Sequence, residues 1–225
     1  MHLFKRTLFL FLTLSSCCAI AQDHFGYKIN LGASWISYQA PDQVEIHQVN
    51  SALAAQTGIY VGHDIGRVGY FGMEVLVQQI TGHSYVENNI TSPGGQVIAY
   101  VYNDYNLLSY ISCPVYVGLK YKQMTFLTGI QASYLLRSKR RVKSEAFGGS
   151  FAQPHSFDDK ATKYRFNLGA LVGLHLQLTP TIGVESSYCL GLNDLQKSSF
   201  YGERDHRVKY AMLGFRFNIL QKNRE

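Results

Sequence analysis

Between Tyr164 and Thr179 the chain reads YRFNLGALVGLHLQLT, and side-chain character changes at almost every step. Neighbouring side chains of a strand point to opposite faces. Tyr164, Phe166, Leu168, Ala170, Val172, Leu174, Leu176 and Leu178 therefore share one face, and Arg165, Asn167, Gly169, Leu171, Gly173, His175 and Gln177 the other. A helix, with a period near 3.6, would scatter both sets around its circumference, so the stretch reads as a strand with one greasy face.

The same period recurs. It is clean in the first strand (Phe25, Tyr27, Ile29, Leu31, Ala33 and Trp35 against Gly26, Lys28, Asn30, Gly32 and Ser34) and over 182–192. It recurs with lapses near 53–64, 68–81, 107–121, 124–137 and 208–220, giving eight strands. The links Asp64–Val68, Tyr121–Met124 and Thr179–Thr181 are tight, whereas those near 40–52, 82–106, 138–163 and 193–207 are long and polar. Strict alternation of short and long links is the habit of an up-and-down barrel with short periplasmic turns and long outer loops. The expected fold is all-β, an eight-stranded antiparallel up-and-down transmembrane β-barrel.

Periodicity does not say which face points inward, and a soluble lipocalin-like barrel would put the apolar set inside. The minor face favours lipid outside: Lys28, Glu74, Lys120, Arg137, Arg165, His175, Glu185 and Arg216 are costly against hydrocarbon but can pair inside a narrow barrel. Aromatic residues gather where interfacial girdles belong. Phe25, Tyr27, Phe71, Tyr121, Phe126, Phe215 and Phe217 fall near the short-turn rim, and Trp35, Tyr134, Tyr164 and Phe166 near the other. From Tyr27 to Trp35 is about 26 Å of strand, or about 20 Å of height at a tilt near 40°.

Ahead of the first strand, Lys5 and Arg6 precede the apolar run TLFLFLTLSS, the layout of an export signal over residues 1–21 with the barrel domain at 22–225. Two cuts compete. Leu14-Ser15-Ser16-Cys17 is a loose lipobox, and Ala19-Ile20-Ala21 is an A-x-A site; a self-anchoring barrel needs no lipid, which favours cleavage after Ala21. That segment holds two of the 21 Lys and Arg and none of the 15 Asp and Glu, so the remainder carries 19 positive against 15 negative charges, only mildly basic. Of the 4 cysteines, Cys113 and Cys189 remain; the first faces outward and the second inward, which argues against a bridge. No later segment approaches the run of about 18 apolar residues that a spanning helix needs.

The strand sequences resemble a known family. LSYISCPVYVGLKY (108–121), FLTGIQASYLLRSK, YRFNLGALVGLHLQL, IGVESSYCLGLNDL and VKYAMLGFRFNIL resemble the fourth to eighth strands of the Bacteroidota-type outer-membrane β-barrel family, the PorT-like or porin-family barrels. Pro114 matches its strand-four proline and Gly191-Leu192-Asn193 its Gly-Leu-Thr/Asn corner. The resemblance implies an eight-stranded barrel in a Gram-negative outer membrane. A namesake member is tied to protein secretion, but no residue here carries that role across, and shared architecture is not shared function.

The inward polar set reads either as a salt-bridged plug, which the size of an eight-stranded interior favours, or as a narrow conduit for ions or small solutes. Arg137, Lys139, Arg140, Arg141 and Lys143 leave the outer end of the fifth strand, where they offer bidentate or point-charge donors to lipopolysaccharide phosphates. The alternative is a solvated loop base. His83, Ser84, His155, Ser156, Asp158, Asp159 and His206 would be the groups of a lipid-modifying enzyme, yet no recognised spacing links them. No metal-ligand spacing, cofactor motif or nucleic-acid-binding fold surrounds any of these residues. The expected role is a non-enzymatic envelope or surface interaction through loops 82–106 and 138–163, with lipopolysaccharide or another envelope protein as partner.

Overall fold

A computed structural model describes residues 23–38, 46–91, 97–146, 155–158, 160–195 and 206–221; the expected signal and its cleavage site lie outside them. The strands are β1 (His24–Tyr38), β2 (Ile46–Asn50), β3 (Ala52–Ile65), β4 (Gly69–Thr91), β5 (Val97–Tyr121), β6 (Met124–Ala146), β7 (His155–Asp158), β8 (Phe166–Gln177), β9 (Ile182–Gly191) and β10 (His206–Gln221). Eight of them, β1, β3, β4, β5, β6, β8, β9 and β10, pair in chain order, all antiparallel. The sheet closes where β10 returns to β1, from Tyr38↔His206 to His24↔Gln221. Closure leaves no edge at membrane depth, the condition for a sheet to stand in hydrocarbon.

The short turns follow from local chemistry. Gly66, between β3 and β4, takes the left-handed backbone (φ 62°) that only glycine adopts without penalty. Lys122 takes a similar conformation (φ 55°) in the two-residue turn between β5 and β6, where a side chain is disfavoured. Pro114 has no N–H to donate, and the β4–β5 ladder is interrupted beside it, between Met73↔Val115 and Leu76↔Ser112, without any change of register.

Sequence periodicity left the direction of the faces open, and the structure resolves it. Leu31, Leu53, Leu119, Ile130, Phe166 and Leu213 are each more than half exposed, whereas Lys28, Glu74, Glu185 and Arg216 are 2% exposed. Large apolar residues outside and charges inside are the polarity of a chain solvated by lipid. No helix among the described residues is long and apolar enough to cross a membrane, so crossing falls to the strands. Tyr121, Phe126 and Phe217 stay exposed at the short-turn end, and Tyr134 meets Phe166 edge-on at 5.1 Å toward the other.

Three strands are far longer than a membrane requires. A spanning strand needs about 9–11 residues, but β4, β5 and β6 have 23, 25 and 23. Their ladders run on to Thr91↔Val97 and Tyr100↔Ala146, so much of the expected loops 82–106 and 138–163 is paired strand. The short β2 pairs with β4 after an interruption at Ser51, where three residues (51–53) face two (81–82), a bulge. On the other side β7 pairs with β6. A sheet in the order β2-β4-β5-β6-β7 thus rises beyond the barrel at its long-loop end.

Candidate functional site

Five strands send side chains to one level of the barrel interior: Lys28 (β1), Glu74 (β4), Tyr116 (β5), Glu185 (β9) and Arg216 (β10). Lys28 and Arg216 are directly opposed in the β1–β10 register, a pairing of like charges that costs free energy alone. Two carboxylates resolve it. Lys28 Nζ lies 2.6 Å from Glu74 Oε2 and 2.7 Å from Glu185 Oε1, while Arg216 donates from Nη2 to Glu74 Oε1 at 2.6 Å and pairs through Nε with Glu185. Tyr116 donates to Glu74 Oε1 and accepts from Arg216 Nη2, both at 2.8 Å. The guanidinium carbon sits 4.8 Å from the Tyr60 ring centroid and 5.5 Å from that of Tyr116. Two cations and two anions make the cluster neutral, which suits complete burial. Gly72 makes room for it: a Cβ there would stand 2.3 Å from the Tyr116 ring.

Four of the eight residues expected inside therefore meet in this cluster. His175 faces inward on β8, opposite Glu185 in the register. Lys120 stands nearer the short-turn rim, paired with Asp64, which also accepts from His24 Nε2 at 3.1 Å. Arg137 and Arg165 do not join: both are exposed. On β6 the register slips from Tyr110↔Leu135 to Ser109↔Arg137, so Leu136 is an extra residue and the odd positions that faced inward below it face outward above. Arg165 lies in a bend before β8, at the mouth rather than within the barrel.

Sequence reading missed two further layers. Toward the long-loop end, uncharged polar groups interlock: Tyr210 donates to Gln131 Oε1 at 2.6 Å, and Ser112 and Gln131 Nε2 both donate to Gln78 Oε1, at 2.9 and 3.1 Å. Their signal was the inward parity, which picked out charges alone. Beyond them Ile36, Ile80, Leu108, Leu135, Leu195 and Val208 are buried together and cap the interior with hydrocarbon. Apart from Leu195, which follows β9, these are the lapses in alternation, apolar residues at inward positions. At the opposite end the interior opens as a cavity of about 230 Å³ between the cluster and the short turns.

On the protruding sheet Arg137, Lys139 and Arg141 form an exposed column along one face of β6, opposite Ser109, Leu107 and Tyr105 of β5. Arg140, expected with them, faces the other way and is half-buried, because alternation places it on the inner face. The Lys143 side chain is outside the described residues, though its backbone continues the column opposite Asn103. Of the residues considered for catalysis, His83 stacks on Tyr105 with centroids 4.3 Å apart and an interplanar angle of 6°. His83, Tyr105, Arg141 and Ser156 share one row across four strands, leaving His83 and Ser156 about 14 Å apart at the usual strand spacing. Asp158 is exposed on the same short strand as Ser156. Asp159 and the side chains of Ser84, His155 and His206 lie outside the described residues. Among the described residues no three His, Cys, Asp or Glu side chains converge on a metal-sized point. Cys113 and Cys189 are both free, the latter buried inside the barrel.

The family model for the outer membrane protein beta-barrel domain matches residues 7–197. The chain belongs to that family. Its place is accordingly the outer membrane. No curated protein matches it. Among solved structures it is similar to Neisserial surface protein A at 13% identity, covering 87% of this chain and 97% of that one with a TM-score of 0.42. It is also similar to Ail, the attachment invasion locus protein of Yersinia pestis (12%, 88% and 99%, 0.39), and to OprG from Pseudomonas aeruginosa (10%, 88% and 97%, 0.39).

Proposed function

We propose that this outer-membrane barrel is a non-enzymatic surface-interaction protein: a sealed post that holds the β2-β4-β5-β6-β7 sheet outside the cell. The observation that carries the reading is the length of β5, whose 25 residues exceed by more than a factor of two the roughly 10 that a bilayer needs. Ordering so much strand outside the membrane costs conformational entropy, which a contact surface offsets and a mere connection does not. The sheet offers two modes of contact. Among the described residues its margins β2 and β7 each pair on one side only, leaving backbone groups of the kind that accept an added strand. The column Arg137, Lys139 and Arg141, with Lys143 continuing it along the backbone, stands just above the Tyr134–Phe166 pair, at the height of lipopolysaccharide phosphates.

Two features support a closed interior over the alternative of a narrow porin-like channel. The neutral ionic cluster fills one level and the apolar cap another, and an ion crossing both would break buried pairs and then shed its water. An outer-membrane lipid-modifying enzyme is the weaker alternative, since His83 and Ser156 stand strands apart. The strand resemblance from residue 107 onward supports a PorT-like, Bacteroidota-type place within the family, and the A-x-A site supports export with cleavage after Ala21. The test is photocrosslinking in intact cells from position 141. Capture of lipopolysaccharide or a defined envelope protein, weakened when Arg137 and Lys139 become Gln, is the expected result. Crosslinks that stay within the barrel itself contradict the reading.

A further inference from the structure

Resting on the reading of this barrel as a surface-interaction protein, we infer that the outward face of β6 docks one partner: an acidic oligosaccharide carried by a glycolipid of the same outer leaflet. Arg137, Lys139 and Arg141 are exposed on that face, and none of the three has a carboxylate partner among the described residues. Asp158, opposite Lys139 in the β6–β7 register, accepts instead from the Lys160 N–H at 3.0 Å. The buried Lys28 and Arg216, by contrast, are matched by Glu74 and Glu185. A third exposed guanidinium stands beside the foot of the column, since the Arg165 carbonyl accepts from Leu135 N at 2.7 Å.

Height decides the class of ligand. The Tyr134–Phe166 pair marks the outer edge of the apolar band. On β5, which has no extra residue here, Ile111 is opposite Tyr134, and Ser109, Leu107 and Tyr105 are opposite Arg137, Lys139 and Arg141. At about 2.5 Å of height per residue for a strand tilted near 40°, the three cations stand roughly 5, 10 and 15 Å above that edge. The headgroup layer is only about 5–8 Å deep on each side of the hydrocarbon. Arg137 therefore meets headgroup phosphates, while Lys139 and Arg141 stand above the charges of a phospholipid, at the level of the first sugars of a glycolipid. The same row supplies a surface for a sugar ring: Tyr105, opposite Arg141, has His83 stacked on it at 4.3 Å and is still 40% exposed. A flat apolar surface beside a cation fits the C–H face and the acid group of one acidic sugar. The partner lies in the same membrane because exposed ion pairs are each worth little. A few of them hold a glycan that its own lipid anchor keeps at high local concentration, and do not hold a soluble polysaccharide.

The test is native mass spectrometry of barrels extracted from vesicles holding equal amounts of phosphatidylglycerol, lipid A and lipopolysaccharide trimmed to its inner-core sugars, counting the lipids that stay bound. The core-bearing lipid should outnumber each of the others at least fivefold. Lys139→Gln with Arg141→Gln should bring it down to the level of lipid A while the heat-dependent shift in electrophoretic mobility, which reports a closed barrel, is kept. Arg67→Gln with Lys122→Gln, which removes as many exposed cations at the short turns, should leave retention unchanged. The proposal is overturned if lipid A or phosphatidylglycerol is retained as well as the core-bearing lipid, or if the two double variants behave alike. Displacement of that lipid by an equal concentration of the released core oligosaccharide would also overturn it. Crosslinks from position 141 to a protein and none to glycolipid would overturn it too, while leaving the surface-interaction reading intact.

Discussion

Arg216 shows how much of this interior depends on single side chains. It is fully enclosed and touches both carboxylates of the cluster, so replacing it by Met leaves Glu74 and Glu185 sharing Lys28 alone. Breaking a buried ionic group by removing one partner costs about 3–5 kcal/mol, and urea unfolding of the barrel in bilayers should register a loss of that order. Adding Glu185→Gln to Arg216→Met restores one-to-one charge and should recover part of the loss; a double variant no more stable than the single one would show that packing dominates. Gly72 gives a second test at this scale. Gly72→Val forces a side chain into the Tyr116 ring, and overpacking of this kind costs about 1–3 kcal/mol. A variant as stable as the parent, measured in the same way, would mean that Tyr116 moves aside freely. The charged members of the cluster were visible in the sequence as polar intrusions on one parity. Arg137 was misplaced because the extra residue at Leu136 leaves no compositional mark.

At the scale of elements, the spanning parts of the eight strands were legible to within a few residues, and their outer extensions were not. The reason is physical. Alternation arises because one face of a strand meets lipid and the other the barrel interior, and it fades where both faces of the sheet meet water. Segments 82–91, 97–106 and 138–146 therefore read as polar loops while forming continuous ladders. The same separation makes the sheet dispensable for barrel closure, since β1, β3, β8, β9 and β10 pair at membrane depth without it. Replacing residues 85–103 by a short Asn-Gly hairpin should leave a barrel that folds and shows the usual heat-dependent shift in electrophoretic mobility, while the crosslinks from position 141 disappear. Failure of that trimmed chain to close would place the folding nucleus in the outer hairpin instead.

Taken as a whole molecule, the barrel stacks different chemistries along its axis: a cavity at the short turns, a neutral ionic cluster, an uncharged hydrogen-bonded layer, an apolar cap and then an open sheet. On the proposed reading, in which cluster and cap block the axis in series, purified protein in planar bilayers should show no steady conductance steps. Regular openings would favour the channel alternative. All of this requires that β5 pass through lipid and then continue into water. From Leu119 to Ile111 the strand climbs about 20 Å, close to the apolar band of about 25 Å, and Tyr105 stands about 15 Å higher. Val117, Ile111 and Tyr105 all face outward on that strand. Nitroxide labels at these three positions in lipid vesicles offer the most direct measurement. Labels at 117 and 111 should be relaxed by lipid-dissolved oxygen, and the label at 105 by a water-soluble nickel chelate. Oxygen access persisting to 105, or chelate access at 117, would contradict a sheet that rises from the membrane on a sealed barrel.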